Sequence, residues 1–211
     1  LQSVPFASPP IGELRWKLPQ DPEKWEGILD GREYSPACPS NNTVSKSMSE
    51  DCLYLNVFVS ASCTGGCPIT VLFHGGALNF NSAVYYDDDY LIDNFASKGV
   101  MLVVPAFRLG FLGIFNLGDD SIPTNLGVHD ALHAVTFVSR EAKKFGGNSE
   151  SLTLMGHSGG GTIAGVLAYS PMRKKKVKIN KLVMMSPEIK FTDLQKIQSL
   201  TARFVDKTDV S

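Results

Sequence analysis

The sequence predicts an α/β protein, with a parallel or mixed sheet covered on both faces by helices. Two observations carry this reading. Short apolar runs recur at residues 53–59, 69–73, 100–105, 152–155 and 182–185, and helix-length segments separate most of them. Most of the runs are nearly continuous in Val, Ile, Leu and Met, as expected of strands with no solvent-facing side.

Residues 1–50 are rich in Pro, Gly and Ser with few periodic apolar positions, and read as an irregular covering segment within the same domain. The stretch Tyr85-Tyr86-Asp87-Asp88-Asp89 starts a helix, because carboxylates favour a helix N-terminus, and it lacks the spaced ligands of a calcium loop. The clearest helix spans 128–145, where Val128, Leu132, Val135 and Val138 recur on one face. A second, 162–169, stops before Pro171. The last begins at Thr192-Asp193-Leu194-Gln195, a capping-box pattern, with Leu194, Ile197, Leu200 and Phe204 on one face. The chain of 211 residues fits one domain at roughly 150 residues each, and it contains no internal repeat.

Hydrophobic residues are 43% of the chain and charged ones 19%, which excludes a disordered tail. The formal charge of −1 provides no global field for nucleic acid or an anionic membrane. The longest apolar candidate, 100–107, is far short of the roughly 20 residues that span a bilayer, and Pro105 interrupts it. No transmembrane segment is therefore expected in this chain. It opens at Leu1 without a basic-then-apolar leader, so any targeting sequence is expected outside these residues.

Cys38, Cys52, Cys63 and Cys67 are an even set without a C-x-x-C motif, which fits two local disulfides. Pairing them in sequence order would close two loops. Free buried cysteines are one alternative; a zinc site made of three of them with His74 is another, though it lacks paired C-x-x-C turns. Disulfides imply an oxidising compartment. The sequon Asn41-Asn42-Thr43 makes Asn41 a glycosylation candidate between Cys38 and Cys52, and together these features favour a secreted or ER-lumen protein.

The sharpest chemical signal is Gly156-His157-Ser158-Gly159-Gly160, between the run at 152–155 and the helix from 162. Strand, G-x-S-x-G, helix is the context of a nucleophile elbow. A serine in a sharp strand-to-helix turn is strained, so the residues two positions to either side must be nearly free of side chain, as Gly156 and Gly160 are. The helix that follows aims its N-terminal N–H groups at developing negative charge. A phosphate-holding turn is the competing reading, but G-x-G-x-x-G and a P-loop lysine are missing. Upstream, His74-Gly75-Gly76-Ala77 follows the run at 69–73 and is similar to an H-G-G-G oxyanion loop. Gly76, Ala77 and Gly159 are thus the candidate backbone donors of an oxyanion hole, with Ser158 the candidate nucleophile.

These motifs sit in a familiar order. Pro9-Pro10-Ile11-Gly12-Glu13-Leu14-Arg15, Ser49-Glu50-Asp51-Cys52-Leu53-Tyr54-Leu55-Asn56, His74-Gly75-Gly76-Ala77, Phe107-Arg108-Leu109-Gly110, Asn125-Leu126-Gly127, Phe145-Gly146-Gly147-Asn148 and the elbow follow one another. The chain resembles the type-B carboxylesterases, α/β-hydrolases that include cholinesterases and the non-catalytic neuroligins. The resemblance implies an α/β-hydrolase fold with a mixed, mostly parallel sheet. It also implies a carboxylic ester substrate, an acyl-enzyme on Ser158 and no cofactor or metal. It pairs Cys38 with Cys52, Arg15 with Glu50 and Arg108 with Asp130.

Several positions depart from the family pattern. Gly159 stands where Ala is usual, Ala77 where a third glycine is usual, and both keep an N–H. His157 replaces the commoner Glu, and a neighbour in the elbow turn cannot reach Ser158 with the geometry of a base. The segment between Cys38 and Cys52 has no tryptophan to stack on a quaternary ammonium, so a choline ester is not the expected substrate.

The family order of the triad is Ser, acid, His. Here His74, His129, His133 and His157 all precede Ser158, and Glu188, Asp193, Asp206 and Asp209 follow it too closely to match the family acid. The expectation is that residues 1–211 are the N-terminal part of an α/β-hydrolase domain, inactive alone for want of a base. The alternative is a degenerate, neuroligin-like homologue that binds a protein partner. Two weaker features have ordinary readings. His129 and His133 have metal-ligand spacing but no H-E-x-x-H glutamate. The basic run Arg173-Lys174-Lys175-Lys176, with Lys178 beyond, reads as a solvated loop.

Overall fold

The computed structural model describes residues 1–40, 47–119, 121–171 and 177–187. Among these, six strands form one sheet in the order β1-β2-β4-β3-β5-β6: β1 Val4–Pro5, β2 Tyr54–Phe58, β3 Cys67–Phe73, β4 Met101–Pro105, β5 Gly147–His157 and β6 Lys181–Met185. β4, β3, β5 and β6 run parallel, whereas β1 and β2 are antiparallel additions at one edge. The sheet is therefore mixed and mostly parallel.

Successive side chains of a strand point to opposite faces, and both faces here are apolar. Val71, Phe73, Met101, Val103, Leu152 and Leu154 enter the larger core, which also holds the buried positions of α3 Leu126–Glu141 and α4 Gly159–Tyr169. Leu72, Leu102 and Val104 alternate with them and join the smaller core with Leu91 of α1 Asp88–Asn94. Asp87 caps α1 by accepting the N–H of Tyr90 at 2.9 Å, which is the helix start expected of the acidic stretch.

Three elements depart from expectation for local reasons. β5 begins at Gly147 rather than 152, because polar residues 148–151 carry no apolar signal. It reaches β3 at Cys67↔Gly147, then shifts register between Pro68 and Ile69. α4 starts at Gly159, three residues early, since three consecutive glycines are poor helix formers in isolation. α3 covers Leu126–Glu141 and passes into a 3-10 turn at Ala142–Phe145. Its deepest face is Gly127, Asp130, Ala131, Ala134, Val135 and Val138, so Val128 and Leu132 sit half-buried at the margin. Gly127 lets the helix pass close to the Arg108 carbonyl, where a methyl would lie at 2.3 Å, and Ala131 and Ala134 are small, fully buried positions in the core. A short helix, α2 Gly110–Ile114, had no sequence signal.

Both disulfides form, Cys38 with Cys52 and Cys63 with Cys67, which removes the free-thiol and zinc alternatives. The covering segment contributes β1 and a 3-10 turn at Gly12–Leu14. It is anchored by an exposed ion pair, Arg15 to Glu50 at 2.6 Å, and by a buried one. Arg108, beneath the segment, meets both oxygens of Asp130 at 2.7 and 2.8 Å and donates to the carbonyls of Arg15 and Lys17 at 2.9 and 3.0 Å. Asn41, the basic run at 173–176, the helix expected from Thr192 and the four downstream acids lie outside the described residues. Lys178 is described, and pairs with Glu150 at 3.3 Å.

Candidate active site

β3 and β5 are neighbours, but their connections diverge. From β3 the chain crosses to β4 on one side, and from β5 it crosses through α4 to β6 on the other. Such a switch point opens a crevice beyond the carboxyl ends of the two strands. His74-Gly75-Gly76-Ala77 leaves β3 at this crevice, and Ser158 leaves β5 there.

Ser158 has φ 52° and ψ −122°, a conformation that costs a non-glycine residue on the order of 1–3 kcal/mol and survives only where its surroundings impose it. The surroundings are specific. Its N–H donates to the carbonyl of Met185 at the end of β6 (2.8 Å), and its own carbonyl accepts the first bond of α4 from Thr162 (3.0 Å). A methyl on Gly156 would lie 2.2 Å from the Gly160 carbonyl oxygen, and one on Gly160 would lie 2.2 Å from that of Phe73. The turn therefore closes only with glycine at both places.

The loop after β3 is also unusual. Gly76, Ala77 and Leu78 all have positive φ, at 111°, 53° and 59°, and the N–H groups of Asn79 and Phe80 fold back onto the Gly76 carbonyl. Among the described residues, the N–H groups of Gly76, Ala77 and Gly159 donate to no carbonyl. A methyl on Gly159 would lie 3.2 Å from the Ala77 nitrogen, and one on Gly75 would lie 3.4 Å from Ser158 Cβ. The loop and the elbow are thus in contact, and the structure brings Ser158, Gly76, Ala77 and Gly159 together at one place. Backbone N–H groups without a carbonyl partner, close to a serine, are of the kind that can stabilise negative charge on a carbonyl oxygen.

His74 is buried at the base of the loop. Burial pushes its imidazole down to about 4, so it is neutral at pH 7. Nδ1 lies 2.8 Å from the Gly75 carbonyl, which can only accept, so Nδ1 carries the proton. Its ring stacks on Phe107 with centroids 4.5 Å apart. His74 shapes the loop and stays clear of proton transfer.

Among the described residues no hydrogen bond joins a histidine to the Ser158 hydroxyl, and His157 is exposed with its Nδ1 beside Gly75. His133 lies 3.3 Å from Asp21, and burial lowers the pKa of His129. No three His, Cys, Asp or Glu side chains among the described residues cluster as metal ligands. Two backbone contacts of the site were not foreseen from the sequence: the Met185 carbonyl, which holds Ser158, and the Gly110 N–H, which donates to the Leu78 carbonyl at 2.7 Å.

Comparison with known proteins agrees with this geometry. A family model described as "Carboxylesterase family" matches residues 2–205. Human cocaine esterase is 38% identical over 185 residues, covering 80% of this chain and 33% of the relative. Fumonisin B1 esterase of Sphingopyxis macrogoltabida is 33% identical over 198 residues, 87% of this chain and 36% of the relative. A solved PNB esterase superimposes with a TM-score of 0.88 at 32% identity, over all of this chain and 44% of its own. Juvenile hormone esterase from Manduca sexta, solved with OTFP covalently attached, gives 0.89 at 28% identity, over all of this chain and 41% of its own. The chain spans about a third of the length of these curated relatives. It has the α/β-hydrolase fold of its structural neighbours, and it belongs to the carboxylesterase family.

Proposed function

We propose that this chain carries the nucleophile and oxyanion hole of a carboxylic ester hydrolase. The observation that carries the reading is Ser158 held in a strained elbow against the unpaired N–H groups of Gly76, Ala77 and Gly159. Strain of this kind persists only where the surroundings impose it and clusters at functional sites, which supports a chemical role for Ser158.

In the reaction, Ser158 Oγ bonds to the ester carbonyl carbon while its proton passes to a general base. The carbonyl oxygen becomes an oxyanion facing the three N–H groups. The C–O bond to the alcohol then breaks, the alcohol takes the proton, and the acyl group stays on Ser158. Water repeats the sequence to release the acid. Each hole donor is worth about 3–4 kcal/mol of transition-state stabilisation. The base comes from a part of the protein outside this chain, as the one-third coverage of the relatives supports. The substrate is a small carboxylic ester, like those named for the related cocaine and fumonisin esterases. Two disulfides and the Asn41 sequon support a secreted or ER-lumen location, with Asn41 glycosylated. A mobility shift on enzymatic deglycosylation that Asn41→Gln removes tests this last point.

A fluorophosphonate probe tests the nucleophile. Full-length protein labels, and Ser158→Ala does not. Residues 1–211 alone hydrolyse esters at less than about a tenth of the complete protein's rate, because triad-depleted enzymes retain only about 10³–10⁴-fold over water. A folded, full-length protein that takes no label overturns the hydrolase reading and makes the chain a binding homologue.

A further inference from the structure

The loop that bears Gly76 and Ala77 is gripped at both ends by one segment, Phe107–Phe111. At the near end the Phe107 ring stacks on His74, 4.5 Å between centroids and 14° between planes. At the far end the Gly110 N–H donates to the Leu78 carbonyl at 2.7 Å. Between these contacts Arg108 is buried and bonded to Asp130, so the segment is rigid where it meets the loop.

The covering segment closes over this brace. Arg108 Nη1 and Nη2 donate to the carbonyls of Arg15 and Lys17, the two neighbours of Trp16. The Trp16 indole packs on Phe115 at 4.6 Å with the planes tilted by 32° and meets Phe111 edge-on at 5.6 Å, and Phe111 and Phe115 are themselves edge-on at 4.7 Å. Phe111 is the residue after Gly110. Trp16 therefore completes a three-ring cluster on α2, one residue from the N–H that holds the loop. Aromatic geometry of this kind is directional, and a smaller side chain leaves the two phenylalanines without it.

We propose that Trp16 is a positioning residue for the oxyanion hole, seating α2 so that Gly110 holds the loop of Gly76 and Ala77 in its left-handed conformation. The inference deepens the hydrolase reading and rests on it for its catalytic consequence. The mechanical part stands by itself. Trp16 touches no reacting group, and acts through Phe111 and Gly110.

The test compares Trp16→Ala, Trp16→Phe and Phe137→Leu in the full-length protein. Phe137 is buried on α3 and lines a separate cavity of about 530 Å³ with Leu1, Trp25 and Arg140, so it controls for loss of stability alone. Amide hydrogen exchange over residues 74–81 accelerates in Trp16→Ala beyond any change in Phe137→Leu, and Trp16→Phe returns most of the protection. Fluorophosphonate labelling and kcat fall by about tenfold or more in Trp16→Ala while KM moves by less than about threefold, the response expected of a misplaced hole. Loop exchange that is unchanged in Trp16→Ala, or that tracks melting temperature equally in Phe137→Leu, overturns the brace. A wild-type protein that takes no label overturns the hydrolase reading instead, and loop exchange then decides the brace unaided.

Discussion

Ser158 and Met185 are tied backbone to backbone, the serine N–H to the methionine carbonyl at 2.8 Å. The nucleophile turn and the end of β6 thus form one unit, and β6 registers on β5 from Thr153↔Lys181 to His157↔Met185. Pairing along that strand imposes φ 52° and ψ −122° on a residue with a side chain.

Ser158→Gly releases that strain, since glycine alone occupies this region at little cost. Against the roughly 0.5–1 kcal/mol that glycine loses through its freer unfolded state, relief of about 1–3 kcal/mol leaves a net gain. Ser158→Gly therefore unfolds at higher urea than Ser158→Ala, by about 1 kcal/mol, and neither reacts with a fluorophosphonate. Equal midpoints for the two variants mean that the turn is unstrained.

The two ion pairs of the covering segment differ in kind. Arg108 and Asp130 side chains are 2% and 0% exposed, whereas those of Arg15 and Glu50 are 44% and 28% exposed. Removing one partner of a buried pair strands a charge, so Asp130→Ala costs about 3–5 kcal/mol in urea unfolding. Glu50→Ala costs less than about 1 kcal/mol, and added salt erases much of that. A loss at Glu50 as large as that at Asp130 contradicts this ordering.

What the sequence showed follows from where its information lies. β3 and β4 were legible because both faces are covered, so nearly every side chain from Ile69 to Phe73 and from Met101 to Pro105 is apolar. The first part of β5 was hidden because its residues are polar: Asn148 is opposite Pro68, while Ser149, Glu150 and Ser151 make up the register shift before Leu152 meets Ile69. The closeness of Ser158, Gly76, Ala77 and Gly159 was legible because the two turns demand glycine at 76, 156 and 160, which marks both motifs in the sequence. The contacts of Met185 and Gly110 were not: Met185 acts through a carbonyl that any residue carries, and although Gly110 lies in a recognisable motif at φ 51°, the N–H bond it makes to the loop leaves no mark on the sequence.

His74 gives the fold a pH dependence. Its folded imidazole takes a proton only near pH 4, and its ordinary value is 6.5. Between these pH values the unfolded chain binds a proton that the folded chain refuses. Stability contributed by the neutral imidazole is therefore complete above about pH 6.5, falls as pH drops toward 4, and levels off below. The difference between the two values corresponds to about 3 kcal/mol. Urea unfolding of His74→Gln across this window has a shallower slope than the wild type by that order. Parallel slopes mean that the imidazole titrates normally.

Gly159 of the elbow lies close against Ala77 and Leu78 of the loop. A methyl on Gly159 would stand 3.1 Å from the Leu78 nitrogen and 3.2 Å from Ala77 Cα and nitrogen, closer than real Cβ atoms ordinarily approach. Something must then give by a few tenths of an ångström, and Ala77, already at φ 53°, has little room to turn. Gly159→Ala keeps its N–H and leaves Ser158 untouched, yet it crowds residues 77 and 78 and, on the proposed mechanism, moves the Ala77 N–H away from the oxyanion. Fluorophosphonate labelling falls by about tenfold, since a displaced hole donor forfeits part of its 3–4 kcal/mol. Ala77→Gly frees the loop to retreat without strain, so the double variant Ala77→Gly/Gly159→Ala labels faster than Gly159→Ala alone. The two substitutions are coupled, and a double-mutant cycle measures that coupling as a departure from additivity. Strict additivity means that the loop accommodates the methyl by some movement other than at residue 77.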